Sequence, residues 1–132
     1  MSAASNPSLL ALSLERLAEM HGDPTALVYE RLFAEHPELE ALFVLDKQGQ
    51  VRGAMLANVF DALTDMSGER RHGLNLILAE RLNHDDMGVS HDLFARFFEI
   101  VFETVRDLLG DDWTPEIESA WRAALNEIHA AR

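Results

Sequence analysis

Along this chain apolar side chains return every three or four positions, and no stretch keeps the period of two that a half-buried strand needs. Leu10, Leu14 and Leu17 form a first stripe, which stops at His21-Gly22-Asp23-Pro24. There Asp23 can cap, and Pro24 can enter the first turn of the next helix. That second helix is predicted to carry Val28, Tyr29, Leu32, Phe33 and His36. Pro37 opens a short helix through Leu39 and Leu42 to Phe43, and Asp46-Lys47-Gln48-Gly49-Gln50 reads as a loop.

A longer helix follows, with Val51, Met55, Leu56, Val59, Phe60, Leu63 and Met66 on one broad face, broken at Ser67-Gly68-Glu69. Leu74, Ile77, Leu78 and Leu82 make a shorter stripe that stops near Asn83-His84-Asp85-Asp86. Ser90 is a fitting N-cap for a Phe-rich helix built on Leu93, Phe94, Phe97, Phe98, Val101, Val105 and Leu108, closed by Gly110. Thr114-Pro115-Glu116 supplies a cap, a first-turn proline and an acidic group for the last helix, which carries Ile117, Trp121, Leu125 and Ile128. The expectation is an all-α fold of six main helices plus one short one. No linker splits it, so residues 1–132 read as a single domain, with 1–7 as a disordered N-terminal extension.

Composition narrows the chemistry. The 132 residues include no cysteine, which excludes disulfides, thiolate catalysis and cysteine-ligated zinc or iron–sulfur clusters. Eleven basic residues face 23 acidic ones, a net charge of -12, which argues against nucleic acid and against an anionic membrane surface. No apolar run reaches the length of a membrane span, and Met1–Ser8 lacks the pattern of a signal peptide. A cytoplasmic location is expected.

Six histidines are present, at positions 21, 36, 72, 84, 91 and 129, but no HExxH, paired ExxH, GxSxG, GxGxxG or P-loop pattern accompanies them. His84 has the most distinctive setting. It follows an amphipathic stripe and precedes Met87-Gly88-Val89 and the Phe-rich helix. From its position alone it reads first as a helix-end or solvent-facing group.

Several spaced motifs resemble a bacterial globin, closest to the globin module of flavohaemoglobins and their single-domain relatives. The segment from Tyr29 through Phe33, Pro37 and Leu39 to Phe43 is similar to the second and third helices of that family. His84-Asp85-Asp86-Met87-Gly88-Val89, then Leu93-Phe94, resembles its proximal segment, and Trp113-Thr114-Pro115-Glu116 with Ala120-Trp121 resembles the start of its terminal helix. The resemblance spans roughly residues 8–129 and rests on the spacing of these motifs.

The resemblance implies a globin-like fold around haem b, with His84 as the iron ligand, Tyr29 as a hydroxyl donor to the bound gas and Phe43 stacked on the macrocycle. Val89, Phe94 and one or both of Met55 and Leu56 would line the pocket; each, taken alone, reads first as an ordinary core residue. The distal position of the family falls on Arg52, with Leu56 one turn on, or on Val51, with Met55. Arg52 is preferred because Gly53 would then allow the second helix to approach closely. His91 and His72 are the alternatives to His84.

Two departures from the family bear on activity. Phe94 stands where flavohaemoglobins place a proximal tyrosine, and the sequence stops before the position of their late glutamate. Both groups make the iron-bound histidine more electron-donating, so their absence favours reversible binding, transport or sensing of O2, NO or CO over turnover. An NO dioxygenase remains the enzymatic alternative. It would need a separate reductase, because no flavin or nicotinamide segment follows. A haem-free interaction or sensor module is the third reading. The charge distribution adds a local hint: residues 47–84, with Lys47, Arg52, Arg70, Arg71 and His72, carry a net +1 in an otherwise acidic chain, where an anionic cofactor edge would sit.

Overall fold

The computed structural model describes residues 8–131 and is all-helical. Residues 1–7, expected to be a disordered extension, lie outside the described residues, as does Arg132. Six α-helices follow one another: α1 (Leu9–His21), α2 (Thr25–Glu35), α3 (Gln50–Ser67), α4 (Gly73–Asp86), α5 (His91–Leu109) and α6 (Pro115–Ala130). The short helix between α2 and α3, Pro37–Phe43, is of the 3-10 type, and a single 3-10 turn, Gly110–Asp112, leads towards α6. The all-α architecture expected from the sequence is the one observed.

The boundaries follow local chemistry. Side-chain oxygens of Ser8, Ser90 and Thr114 accept from the N–H groups of Ala11, Leu93 and Ile117, capping α1, α5 and α6. His36 falls just outside α2 rather than on it. It precedes Pro37, which disfavours helical backbone in the residue before it, and its φ is -134°. In contrast, α4 runs on through Asn83 to Asp86, past the end of its apolar stripe, and stops where Gly88 adopts a φ of +94°.

The core gathers the inner stripes of α1, α5 and α6. Leu10, Leu17, Val101, Phe102, Val105, Trp121 and Leu125 are all buried, and Trp121 donates its ring N–H to Ser13 Oγ at 2.9 Å. Phe102 stands edge-on to both Trp113 and Trp121. Helices α2, α3 and α4 pack around this centre.

One contact fixes the distance between α3 and α4. A Cβ built on Gly73 would lie 2.2 Å from the Ala62 carbonyl oxygen, so only glycine permits this approach. From α3, Asp65 reaches across and accepts from the N–H groups of Arg71 (3.0 Å), His72 (3.0 Å) and Gly73 (2.6 Å). One carboxylate thereby satisfies three donors at the start of α4. These bonds hold its pKa down at about 2.

Candidate functional site

Tyr29 sits at the inward face of α2, 1% exposed, in a box of aromatic rings. Its ring centroid lies 5.5 Å from Phe43, 5.5 Å from Phe97 and 5.9 Å from Phe33. Its hydroxyl is buried with no hydrogen-bond partner among the described residues. Such a group costs stability unless something else occupies the donor. Burial raises its pKa well above the usual tyrosine value, so the hydroxyl stays protonated and able to donate. Arg52 and Asp46 are close enough to act on it, in opposite directions.

His84 lies in the last turn of α4 with its side chain 20% exposed. Its Nδ1 bonds the Glu80 carbonyl oxygen at 2.7 Å, one turn back on the same helix. A carbonyl only accepts, so Nδ1 carries the proton and the lone pair is on Nε2. Nε2 makes no hydrogen bond among the described residues. The ring rests against Phe94 at 5.3 Å, and Val89 donates its N–H to the His84 carbonyl at 2.8 Å, so ring and backbone are both held.

The two groups are joined by packed rings. His84 touches Phe94, Phe94 touches Phe98 at 5.4 Å, Phe98 touches Phe97 at 6.1 Å, and Phe97 touches Tyr29. Phe33 and Phe97 were not among the expected site residues. The signal was available in the run Phe94, Phe97, Phe98, whose spacing puts three rings on one side of α5.

Leu56 is buried at 1%, Met55 is half-buried and Val51 is 54% exposed, so the face of α3 turned inward is the one containing Leu56. Arg52 is placed one turn before it, but its guanidinium is already engaged. Nε meets Asp46 Oδ2 at 3.0 Å and NH2 meets the Asp46 carbonyl at 2.7 Å. Asp46 also caps α3 through the N–H groups of Val51 and Arg52. Burial alone would raise the Asp46 pKa, but these bonds outweigh it and hold the carboxyl below its usual range. The reason given for preferring Arg52 does not hold. A Cβ on Gly53 would meet only Thr25 Oγ1, at 3.9 Å, an ordinary contact. Arg70 and Arg71 are likewise paired, with Glu127 and Glu69, so most of the cations of residues 47–84 serve the fold.

The alternative histidines are less constrained. His91 is exposed at the first position of α5, and His72 is exposed, 3.7 Å from Asp65. Among the described residues no three His, Asp or Glu side chains gather as a bare metal ion would require. A single held imidazole, with an open Nε2, instead fits a metal that brings its other ligands with it.

Comparison with known proteins agrees with this geometry. The family described as Globin matches residues 26–131. The chain is 25% identical over 112 residues to a flavohemoprotein of Bacillus subtilis (strain 168), covering 83% of this chain and 28% of that protein. It is 28% identical over 103 residues to a flavohemoprotein of Rhizobium meliloti (strain 1021), covering 76% and 25%. A leghemoglobin of Psophocarpus tetragonolobus is 38% identical over 48 residues, 36% of this chain and 33% of that one. The chain therefore spans only about a quarter of the length of the flavohemoproteins it resembles. No solved structure matches it. With the family matching all but the first helix and the helices packed as described, the chain belongs to the globin family.

Proposed function

We propose that this chain binds haem b and, on it, reversibly binds a diatomic gas such as O2, with NO and CO as further ligands of the same kind. Membership of the globin family and similarity to proteins named flavohemoprotein and leghemoglobin support the haem- and gas-binding function. The b type is supported by the absence of cysteine, which leaves no thiol to attach haem as a c-type group. The same absence suits a reducing, cytoplasmic setting. No described helix is long and apolar enough to cross a membrane.

The observation that carries the reading is a pair of groups without partners among the described residues: a buried tyrosine hydroxyl with no acceptor, and an imidazole held through Nδ1 whose Nε2 makes no hydrogen bond. When bound, haem would supply an iron centre able to take an imidazole nitrogen and a diatomic gas. His84 would hold it, Phe43 would stack on it, and Leu56, Val89 and Phe94 would keep water from its faces. The Tyr29 hydroxyl holds its proton in a dry pocket, where a donor acts most strongly on a partly negative ligand atom. Arg52 shapes this side at one remove, through its charge beside Tyr29.

The bond from His84 Nδ1 also bears on activity. Its partner is a neutral backbone carbonyl, and the nearest carboxylate oxygen, Glu80 Oε2, is 3.9 Å away. A neutral acceptor leaves the imidazole less electron-donating than a carboxylate would, which favours reversible binding over oxidation of NO. Turnover would need a reductase to supply electrons.

The test is a spectrum. Haem added to the purified chain should give one equivalent of bound cofactor with a Soret band, lost or strongly shifted in His84→Ala and restored by added imidazole. Absence of stoichiometric haem binding would overturn the reading in favour of a haem-free module. An unchanged spectrum in His84→Ala would move the ligand to His91 or His72. Rapid aerobic NO consumption with a supplied reductase, well above free haem, would turn the assignment from binder to NO dioxygenase.

A further inference from the structure

Arg81 is the exception among the described arginines. The other eight each face a carboxylate within 4.0 Å. In a chain with 23 acidic residues, Arg81 has none among the described residues. Its NH1 and NH2 donate to the carbonyls of Ile128 and Ala131 at the end of α6, and its Nε is buried with no acceptor among the described residues. A guanidinium bound only to neutral carbonyls keeps its full charge uncompensated, which is costly away from water.

The same residue lines a cleft of about 520 Å³ between the second half of α4, the start of α5 and the end of α6. Its polar lining is otherwise two imidazoles, His91 and His129, with the carboxylate of Asp92. Leu82 and Ile128 provide apolar wall, and Leu82 is left 62% exposed by the fold. His129 faces Glu99 at 3.8 Å, so its Nε2 is turned partly aside, whereas His91, exposed at the helix start, has no ion-pair partner among the described residues. The size is that of a small-molecule site. The lining suits one kind of ligand: a monocarboxylate with a short apolar body, its head on Arg81 and His91 and its tail on the apolar wall.

We infer that this cleft is a binding site for a small apolar carboxylate, and that its occupancy is felt at His84. The link is Phe94, which lines the cleft and also packs on the His84 ring at 5.3 Å. A ligand pressing on Phe94 changes the packing of the one ring that rests on His84. Carboxylate binding stands independently of haem, while its consequence for gas binding rests on the assignment of His84 as iron ligand.

Octanoate is the probe, titrated by calorimetry into the full chain both without haem and with haem bound. The expected result is one site per chain in both forms, weakened about tenfold or more in Arg81→Gln. Ala95→Trp, which fills the cleft and leaves Arg81 intact, should abolish binding. The His84 imidazole resonances of the haem-free chain should shift on saturation with octanoate, and should not shift when octanoate is added to the Ala95→Trp variant. No binding to the wild-type chain, or equal binding to the Ala95→Trp variant, overturns the site. Binding that disappears on haem loading makes the cleft part of the haem pocket and overturns the separate site. Binding without any change at His84 overturns the coupling. None of the haem-free measurements depends on haem uptake, so failure of the haem assignment and failure of the cleft assignment give different results.

Discussion

Tyr29 carries an uncompensated polar cost. Its hydroxyl is buried beside Phe33, Phe43 and Phe97 without an acceptor among the described residues, and burial keeps it protonated. Removing that oxygen removes an unsatisfied donor, so Tyr29→Phe should stabilise the haem-free chain by about 1 kcal/mol, measured by urea unfolding. The same substitution deletes the donor to the bound gas, and O2 dissociation from the ferrous haem form should quicken by roughly 10- to 100-fold in stopped flow. A variant that is less stable and unchanged in off-rate would mean that the hydroxyl serves the fold. At this scale the sequence reveals residue types and spacings but not which partner each side chain takes. Tyr29, Phe43 and His84 stood out because motifs surround them. The engagement of Arg52 did not, since it depends on a loop carboxylate, Asp46, whose direction no periodicity encodes.

Between helices, α3 and α4 stand at a separation that particular residues fix. The Ala62–Gly73 contact and the Asp65 carboxylate set that separation at one end. Gly73→Ala should cost about 2–3 kcal/mol, because the clash is with backbone and cannot be relieved by turning a side chain. Calorimetric unfolding of the variant checks it. Asp65 adds a pH dependence of known sign. Its pKa is about 2 when folded, against about 3.9 in an unfolded chain, so its contribution is fully present above the unfolded value and is lost as pH falls through the folded one. Asp65→Asn should therefore be less stable than the wild type at pH 5, with the gap narrowing towards pH 2. A gap independent of pH would show that the carboxylate charge is not what holds α4. Helices of this kind were legible wherever an apolar stripe meets the core, as in α5, whose Phe94, Phe98, Val101 and Val105 are all buried. The end of α4 was harder to place. That helix buries only Gly73 and Ile77, so its last turn is shaped by capping and by His84 rather than by a stripe.

For the whole molecule, the question is whether its charge works for or against the folded state. Eight arginines are paired with carboxylates, several across elements: Arg96 with Glu35 joins α5 to α2, Arg122 with Glu99 joins α6 to α5, and Arg31 with Asp107 joins α2 to α5. These contacts use most of the eleven basic residues and leave a net charge of -12 spread over the surface. The two contributions have different ranges. The pairs act at close to 3 Å, well inside a Debye length, whereas the excess carboxylates repel over longer distances, which salt screens first. Exposed pairs are also individually weak. Raising ionic strength from about 0.01 M to about 0.15 M shortens the Debye length from roughly 30 Å to roughly 8 Å, and should relieve more repulsion than it removes attraction. The melting temperature of the haem-free chain, followed by far-ultraviolet circular dichroism, should rise by a few degrees over that interval and level off beyond it. A melting temperature that falls with salt would assign the balance to the bridges between helices instead, and Arg96→Met should then lower it further at low salt than at high salt.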